Sequence, residues 1–407
     1  MIGAVDENTN NIRTNLAERS YSVTSQETDH GTLCVRIVGK DTLATLRALQ
    51  CFYSRSVING SFALKELNLA SANKEIRDPA VIYYNGAYYT YENDGHGWSA
   101  YKSTDRQNWT SIGSVFNTSQ HSTTPIEKYC GFSTNEEALA MGWKTEGGTD
   151  INARQWAPEV HEYNGKYYLF ASYQYKNVAT YVESWRGTAV FVADTPEGPF
   201  VPWSDGYLTP DHMDCIDGTL YVKDGTPYLV YSVEFTNSPD SVGGYYAYLE
   251  LKNDLSAAAD GAQPKTLFYA KDAPWSRANK AISDAPWLYT CKDGSLLMLW
   301  SGKDENGNYF VSVAKSSDGT LSGEWTHVKL LYSTNDTDTA FDPYRDGDNI
   351  YCVTDGGHAM IYADRGGRLY LSLHTVNETD DAKGLYTSIA QIPLVEKNGM
   401  LYLDLLY

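Results

Sequence analysis

The chain has 407 residues, and its 51 acidic side chains outnumber its 32 basic ones to give a formal net charge of −19. Such an excess of negative charge repels phosphate backbones and anionic membrane surfaces, so we expect neither nucleic acid nor a membrane as partner. No stretch approaches the roughly 20 apolar residues of a membrane span, and the six scattered cysteines lack the close pairs of a zinc site.

Residues 1–70 lack the pattern of the rest of the chain, and we treat them as an N-terminal extension that wraps or closes the main fold. The first residues carry neither a basic region nor an apolar run, so the sequence predicts no signal peptide. A secreted or periplasmic location would require that a signal has been removed; otherwise we expect a cytoplasmic protein. Asp41 is placed to cap a short helix, and residues 61–69 have the composition of a strand.

Residues 77–91 predict the first β-hairpin of the chain. Two segments of alternating and aromatic residues flank Asn85-Gly86, a dipeptide that favours a tight primed turn. A third strand is predicted at 97–103, and an outer strand follows at 111–116. Together these segments predict one four-stranded antiparallel sheet.

The hairpin pattern returns four more times, with turn glycines 60 to 79 residues apart. The later turns are Asn164-Gly165, Asp224-Gly225, Asp293-Gly294 and Gly366-Gly367. A single hairpin is not stable alone, and a propeller blade needs only about 40–50 residues. The sequence therefore predicts an all-β fold, a five-bladed β-propeller over residues 71–407, in which the strand at 61–69 joins the last blade and closes the ring.

A long polar connection separates the first two blades, from Asn117 to Arg154, with one helix-like turn at 136–141. Loops of this length in a compact domain are usually functional. We expect the connection to overhang one face of the propeller and to decide which substrate fits. The chain ends on residues 400–407, which predict a closing strand.

Carboxylates stand at the starts of the predicted inner strands. In a propeller the first strand of each blade lines the central axis, so residues at the same strand end converge. The positions are Asp78, Glu159 (two places later in its copy), Asp217, Asp284 and His358. A lone Asp at a strand start usually only caps the backbone or makes a turn. Several carboxylates in register repel one another and split their pKa values, which favours an acid–base site.

Aromatic residues are abundant, and most are expected to fill strands and blade interfaces. We expect a few to line a cleft, because the apolar face of a sugar ring stacks on flat rings. Trp98, Trp156 and Phe235 are the candidates for sugar stacking, with blade packing as the alternative for each.

Taken together, these residues resemble glycoside hydrolase family 43, whose members are five-bladed propellers. The resemblance covers residues 74–376, from the first hairpin to the last. Its most specific pieces are Arg77-Asp78-Pro79, Trp156-Ala157-Pro158-Glu159-Val160, Asn164-Gly165-Lys166-Tyr167-Tyr168, Asp217 opening the third hairpin and Gly357-His358 opening the fifth. Together these motifs are specific, whereas any one of them alone would be weak.

The resemblance implies an inverting hydrolase with three carboxylates on three blades. Asp78 matches the general base that activates water, and Asp217 matches the carboxylate that orients the acid and tunes its pKa. The family's general acid is a Glu in a Glu-Gly/Ala-Pro context, where this chain has Asp284-Ala285-Pro286. The shorter Asp284 side chain would have to reach the glycosidic oxygen, and Glu234 is the alternative acid. Both residues stay open as candidates.

The resemblance also bears on Glu159 and His358. Glu159 matches a family motif outside the three catalytic positions, so we expect a substrate contact or, equally, a buried hydrogen-bond partner for a neighbouring strand. His358 resembles an axial histidine that in relatives faces a central ion, often calcium. A lone His is more often a core residue, and calcium prefers oxygen ligands. We expect no required cofactor, and a structural calcium near His358 is kept as an option.

Three functions remain open from the sequence. The leading one is an exo-acting glycosidase, working as a monomer, that releases L-arabinofuranose or D-xylose from plant-type oligo- or polysaccharides. The second is a carbohydrate-binding propeller whose chemistry has lapsed, and Asp284 in place of Glu motivates it. The third is a hydrolase of another sugar, such as a galactan. Fold alone does not choose among them.

Overall fold

The computed structural model of the protein describes residues 21–27, 33–39, 45, 49, 70–93, 97–106, 108–117, 151–177, 185–204, 206–210, 212–235, 243–333, 356–376 and 386–403. Most of the helix predicted after Asp41, the strand at 61–69 and the turn at 136–141 lie outside these residues. In the part of the chain that the structure describes, no helix is long and apolar enough to cross a membrane.

The strands of the described residues form antiparallel sheets in which consecutive strands are neighbours, except that the strand Ala70–Glu75 pairs with the strand Tyr386–Lys397. The extension contains β1 (Tyr21–Glu27) and β2 (Leu33–Gly39), and β3 (Ala70–Glu75) begins at its last residue. Blade 1 contains β4 (Val81–Tyr84), β5 (Ala87–Asn93), β6 (Gly97–Ser103) and β7 (Thr110–Asn117). Blade 2 contains β8 (Ile151–Tyr163), β9 (Lys166–Asn177), β10 (Gly187–Ala193) and β11 (Val201–Pro202).

The remaining three blades follow the same order. Blade 3 contains β12 (Cys215–Lys223), β13 (Thr226–Val233), β14 (Tyr245–Glu250) and β15 (Lys265–Tyr269), followed by a 3-10 helix at Ala270–Asp272. Blade 4 contains β16 (Asp284–Thr290), β17 (Leu296–Lys303), β18 (Tyr309–Ser316) and β19 (Trp325–Tyr332). Blade 5 contains β20 (Gly356–Ala363), β21 (Leu369–Val376), β22 (Tyr386–Lys397) and β23 (Met400–Leu403).

The first strands of the blades form the centre of the molecule. They contact one another in the closed cycle β4, β8, β12, β16, β20 and back to β4. Each blade therefore presents its first strand to a common axis, and residues at the same end of these strands converge. The predicted all-β five-bladed propeller is confirmed.

The hairpin turns explain why the sequence repeats are visible. Asn85 and Gly86 have φ of +46° and +87°, and Asn164 and Gly165 have φ of +51° and +75°. A primed two-residue turn requires positive φ at both central positions, which Asn and Gly tolerate best. The turn prediction made from the Asn-Gly dipeptides is confirmed.

Ring closure combines the two ends of the propeller in blade 5. Strand β22 pairs with β23 at Leu394↔Leu403 and with β3 at Ser388↔Glu75. The predicted C-terminal strand is thus found at Met400–Leu403, and the strand that closes the ring is Ala70–Glu75, directly after the segment 61–69 for which this role was predicted. Strand β22 therefore pairs with one strand that precedes blade 1 in the chain and with one that follows β22. These two pairings join the two ends of the propeller in blade 5.

Two features of the irregular segments differ from the expectations. The connection predicted to end at Arg154 ends earlier, because Ile151 pairs with Asn177 and residues 151–154 already belong to β8. Strands β1 and β2 form an antiparallel pair of their own within the extension, which the sequence analysis did not foresee. Residues 118–150 lie outside the described part of the chain.

Aromatic side chains fill the space between blades. Trp98 is fully buried, and its ring centroid lies 5.1 Å from Phe116, 5.3 Å from Tyr173 and 4.9 Å from Phe191. These rings belong to blades 1 and 2 and form one cluster. The sugar-stacking role considered for Trp98 is therefore wrong, because the side chain is used in blade packing, where aromatic pairs contribute beyond their buried area.

Candidate active site

The inner strands share a strained residue at the end where the repeats begin. The φ angle is +53° at Asp78, +47° at Ala157, +54° at Asp217, +50° at Ala285 and +51° at His358. Residues other than glycine rarely adopt such angles, and the strain costs of order 1–3 kcal/mol each. Five such residues at one end of five strands mark that end as the candidate functional face.

This repeat corrects the register of the predicted carboxylates. Asp78, Asp217 and His358 occupy the strained position itself, as the sequence indicated. Asp284 precedes it by one residue, because Ala285 occupies the strained position of blade 4. Glu159 follows the strained Ala157 by two residues. The carboxyl groups therefore approach the axis from different backbone positions.

A cavity of about 310 Å³ lies at this end of the axis and is lined by residues from all five blades. Four carboxyl groups face it: Asp78, Asp217, Glu234 and Asp284. The basic residues on its wall are Arg77, Arg186, Lys303, His358 and His374, and Trp156 and Tyr309 supply rings. The structure thus brings together all four predicted catalytic residues.

Asp78 is held as a carboxylate by two histidines of blade 5. Its Oδ1 lies 3.2 Å from His358 Nδ1 and 3.1 Å from His374 Nδ1. Burial opposes ionisation, but the charge of His358 and the hydrogen bond from His374 outweigh it and hold the pKa of Asp78 well below its usual range. His374 Nδ1 also lies 3.2 Å from the backbone N of Asp78. Asp78 is therefore ionised at neutral pH.

Asp217 is held from both neighbouring blades. Its N–H donates to Ser172 Oγ at 2.8 Å, and that hydroxyl lies 3.4 Å from Oδ1. Its Oδ2 accepts the N–H of Ala285 at 3.0 Å and lies 3.9 Å from His358 Nδ1. Burial raises the pKa of Asp217, and the charge of Asp78 adds to this against the opposing charge of His358. Asp217 therefore links blade 2 to the start of blade 4.

Asp284 is half-buried on the cavity wall beside Asp217. The Tyr309 hydroxyl donates to its Oδ2 at 3.0 Å, and the Tyr246 hydroxyl donates to its backbone carbonyl at 3.0 Å. Desolvation raises the pKa of Asp284 to about 7, with the charge of Asp217 acting in the same direction. His358 and the hydrogen bond from Tyr309 oppose the rise. A substantial fraction of Asp284 is therefore protonated at neutral pH.

Glu234 differs from Asp284 in having a cation in direct contact. Its Oε2 contacts Arg186 Nη2, which also lies 3.1 Å from Asp214 Oδ2. Desolvation raises the pKa of Glu234 to about 8, although the charge of Arg186 favours the carboxylate. Arg186 thus bridges two carboxyl groups on the cavity wall.

Glu159 lies further along β8 and is not part of the cavity wall among the described residues. Its carboxylate contacts His161 Nε2 and accepts a hydrogen bond from Thr219 Oγ1 of the next blade. The His161 ring in turn stacks on Trp287 with 5.4 Å between ring centroids. The expected substrate contact is replaced by the alternative role, a hydrogen-bond partner between neighbouring strands.

The aromatic candidates have different positions. Trp156 lines the cavity and keeps its predicted role in sugar stacking. Phe235 instead lies with its ring 5.9 Å from the Arg277 guanidinium, away from the described cavity wall. Of the three proposed stacking residues, only Trp156 is on the wall of this cavity.

The surroundings of His358 bear on the calcium site considered from the sequence. His358 Nδ1 faces the carboxylates of Asp78 and Asp217. Calcium takes six to eight oxygen ligands, and the described residues contain no group of three or more His, Cys, Asp or Glu side chains arranged to hold a metal. The donor set does not fit a protein-built calcium cage, so calcium stays a prediction and no chemical step depends on it.

Three residues of the site were not foreseen from the sequence: Arg186, Tyr309 and His374. They come from the segment before β10 and from β18 and β21, none of which carries a repeat signal at these positions. His374 and Tyr309 stack with 5.7 Å between ring centroids and join blade 4 to blade 5 above the carboxylates. Their convergence depends on how the blades stack, which local patterns do not reveal.

Known proteins provide an independent comparison. The endo-arabinase from Bacteroides thetaiotaomicron VPI-5482 has a similar structure, with a TM-score of 0.60 and 26% identity over 82% of this chain and 99% of that chain. A thermostable family-43 glycoside hydrolase has a TM-score of 0.59 at 20% identity over 82% of this chain and 94% of that chain.

Two curated relatives match in sequence. The extracellular exo-α-(1→5)-L-arabinofuranosidase of Streptomyces chartreusis is 21% identical over 238 residues, or 57% of this chain and 67% of that protein. The extracellular endo-α-(1→5)-L-arabinanase 1 of Bacillus subtilis (strain 168) is 26% identical over 170 residues, or 40% of this chain and 44% of its own length. The family model for glycosyl hydrolases family 43 matches residues 72–394, which include strands of every blade and all four cavity carboxyls. The chain therefore belongs to glycosyl hydrolases family 43 and is a glycoside hydrolase of the propeller type.

Proposed function

We propose that the protein is an inverting exo-glycosidase that releases terminal α-L-arabinofuranosyl units from plant-type oligo- or polysaccharides. One observation carries the proposal: a single cavity holds an ionised carboxylate, Asp78, and a carboxyl that keeps its proton near neutral pH, Asp284. The choice of sugar rests on the two curated relatives, an exo-α-(1→5)-L-arabinofuranosidase and an endo-α-(1→5)-L-arabinanase. Since both relatives are extracellular, we propose the same location, and we keep the monomeric state and cofactor independence as proposals.

The two carboxyls suit the two proton transfers of an inverting reaction. Asp78 takes a proton from water as its oxygen attacks the anomeric carbon, and Asp284 gives its proton to the glycosidic oxygen as that bond breaks. The sugar passes through an oxocarbenium-like transition state, whose positive charge the nearby Asp217 favours electrostatically. The products are a sugar with inverted configuration and the shortened chain, and the two carboxyls exchange their protonation states until water restores them.

Asp284 is the stronger candidate for the acid than Glu234. Burial raises the pKa of Glu234 to about 8 and that of Asp284 to about 7, so either carboxyl can carry a proton near neutral pH. Glu234, however, is engaged by Arg186, which also pairs with Asp214. Asp284 instead lies beside Asp217 and occupies the position that matches the family's general acid. We therefore assign the proton donation to Asp284 and substrate binding to the Glu234–Arg186 pair.

The size of the cavity supports exo action. Ligand cavities commonly measure about 300–1,000 Å³, and this cavity of about 310 Å³ is at the small end of that range. A cavity of that size suits one or two sugar units better than a long polymer segment. Trp156 on its wall offers a flat ring for the terminal unit.

The function is tested by hydrolysis of aryl α-L-arabinofuranoside, β-D-xyloside and β-D-galactoside, and of linear α-(1→5)-linked arabino-oligosaccharides. We expect arabinose from the arabinofuranoside and as the first product from the oligosaccharides, with NMR showing the inverted anomer first. Retention of configuration, or early internal cleavage, would contradict the proposal. If only xylose or galactose were released, that sugar would replace arabinose in the proposed substrate. If calorimetry showed sugar binding but no sugar were hydrolysed, the result would favour a propeller that binds carbohydrate and has lost its catalytic activity.

Replacing Tyr309 with phenylalanine tests the environment of Asp284. The phenol's hydrogen bond lowers the pKa of Asp284, so its loss should raise that pKa above about 7. A hydrogen bond of about 1 kcal/mol corresponds to somewhat less than one pH unit. Because the acid works only while protonated, the alkaline limb of the kcat–pH profile should move upward by that amount. Tyr246→Phe is the matched control, since that hydroxyl bonds the Asp284 backbone carbonyl and should leave the limb in place; equal shifts in both variants would contradict the assignment.

A further inference from the structure

A buried hydroxyl lies in the second strand of every blade, seven places after the turn glycine in blades 2, 3 and 4, four places in blade 1 and five in blade 5. The five residues are Thr90, Ser172, Ser232, Ser301 and Ser372, and each side chain is fully buried. Resting on the proposed function, we propose that the four serines of this set (the serine set) are positioning residues that hold the catalytic strand starts of the following blades. No motif identified in the sequence includes them.

Each member of the serine set bonds the start of the first strand in the next blade. Ser172 Oγ accepts the N–H of Asp217 at 2.8 Å, and Ser301 Oγ accepts the N–H of His358 at 2.9 Å. Ser372 Oγ donates to the carbonyl of Pro79, next to Asp78, at 2.8 Å. Ser232 Oγ contacts the carbonyl of Ser283, next to Asp284.

The backbone geometry explains why these bonds are needed. Asp217 and His358 have positive φ, and the pairing of their strands with the second strands shifts register at these points. A bulge leaves backbone groups without ladder partners, and a buried N–H without an acceptor is costly. The serine oxygens of the preceding blade supply the acceptors. The same bond that satisfies the N–H therefore also fixes where the catalytic side chain leaves the strand.

Ser172 has a second contact that separates positioning from simple support. Its hydroxyl accepts the N–H of Asp217 and lies 3.4 Å from Oδ1 of the same residue, so it can donate to that carboxylate. Loss of the hydroxyl would remove the acceptor of the Asp217 N–H and would also remove a hydrogen-bond donor to the Asp217 carboxylate. A residue that only filled space would do neither.

Thr90 provides a comparison inside the same molecule. It lies in the second strand of blade 1, four places after the turn glycine, and the strained residue of the following blade is Ala157, whose methyl group carries no chemistry. Thr90 Oγ1 has no hydrogen-bond partner among the described residues. The hydroxyl thus makes its blade-to-blade bond in the four blades whose neighbours place Asp217, Asp284, His358 and Asp78 in the cavity.

The test compares Ser172→Ala with Thr90→Val, both of which delete one buried hydroxyl. We expect Ser172→Ala to lower kcat about 10–100-fold, the scale of a small displacement of a reacting group, with KM changed less than about threefold. Its acidic limb should move to higher pH, because the Asp217 carboxylate loses a donor. Thr90→Val should match wild type in both, and Ser172→Thr should recover most of the rate, since threonine keeps the hydroxyl.

The outcomes distinguish this proposal from the proposed function. If wild type hydrolyses the arabinofuranoside while Ser172→Ala keeps the wild-type kcat and acidic limb, the positioning role is overturned and the function stands. If wild type is inactive on the whole sugar panel, the function fails and crystal structures decide the positioning role. A displaced Asp217 carboxylate in Ser172→Ala, with none in Thr90→Val, would support it, and an unmoved carboxylate would overturn it.

Discussion

Replacing Asp78 with asparagine is expected to lower kcat by about 10³–10⁴-fold on any substrate the wild type hydrolyses, near the upper end of what proton transfer contributes. Asparagine keeps the size of the side chain but cannot take a proton from water. Asp78 is the one cavity carboxyl whose pKa is held low, by His358 and His374, so no other group is as ready to act as base at neutral pH. Steady-state kinetics on the best aryl glycoside measures the loss.

Controls separate loss of the base from loss of the fold. Asp194→Asn also neutralises one carboxylate, but its side chain is 87% exposed and pairs with Lys166 at the surface, so activity should stay at the wild-type level. Thermal unfolding of the Asp78 variant should remain cooperative, because the histidines can still bond an amide oxygen. A variant that kept near-normal turnover would show that another group activates the water.

The fold was predictable because propeller blades are local. Each hairpin is specified by a dipeptide such as Asn85-Gly86, whose positive φ angles are available to few other residues. The alternating apolar strands on either side need no distant partner to be recognised. Closure of the ring through Ala70–Glu75 was harder to place, because that strand is defined by pairing with β22 some 300 residues away along the chain, and not by its own composition.

The catalytic positions were predictable only where local register follows the repeat. Asp78 and Asp217 occupy the strained position in their strands, so aligning the hairpins was enough to find them. Asp284 lies one residue earlier, since Ala285 takes the strained conformation, and Glu159 lies beyond it. Hydrogen bonds to the neighbouring blade decide which residue of a bulge points to the axis. The sequence of the strand alone does not indicate these bonds.

Contacts between blades account for what sequence reasoning missed or misjudged. Trp98 carries the same side chain as Trp156, yet one is enclosed by rings of blades 1 and 2 and the other is on the cavity wall. Arg186 contacts Glu234 only because blades 2 and 3 pack side by side. The serine set did leave a signal, a serine five to seven places after the turn glycines of blades 2 to 5, but small buried hydroxyls are common enough in strands that the recurrence gained meaning only from the contacts.

The identity of the acid can be decided by the leaving group. Asp284→Asn is expected to lower kcat about 10³–10⁴-fold for natural linkages and alkyl glycosides, whose leaving oxygens need a proton. For a dinitrophenyl glycoside, whose leaving group departs as a stable anion, the loss should be within about tenfold, because acid catalysis supplies little there. Glu234→Gln should instead raise KM and weaken the binding of both substrates by similar factors, since its pair with Arg186 is assigned to binding.

The pH dependence of activity provides a second, independent test of Asp284→Asn and Glu234→Gln. Wild-type activity should fall as pH rises through about 7, where Asp284 loses its proton, and Asp284→Asn should no longer show that limb with the dinitrophenyl substrate. Folding stability should also fall with rising pH. The pKa of Asp284 is higher in the folded state than in the unfolded chain, so folding stability falls as pH rises from about 4 to about 7. Above pH 7 the asparagine variant, which removes the buried charge, should therefore unfold at a higher temperature than wild type while being the less active enzyme.

If Glu234→Gln rather than Asp284→Asn showed this combination of lost alkaline limb, leaving-group dependence and raised stability, the acid would be Glu234, and Arg186 would hold it in place for the reaction.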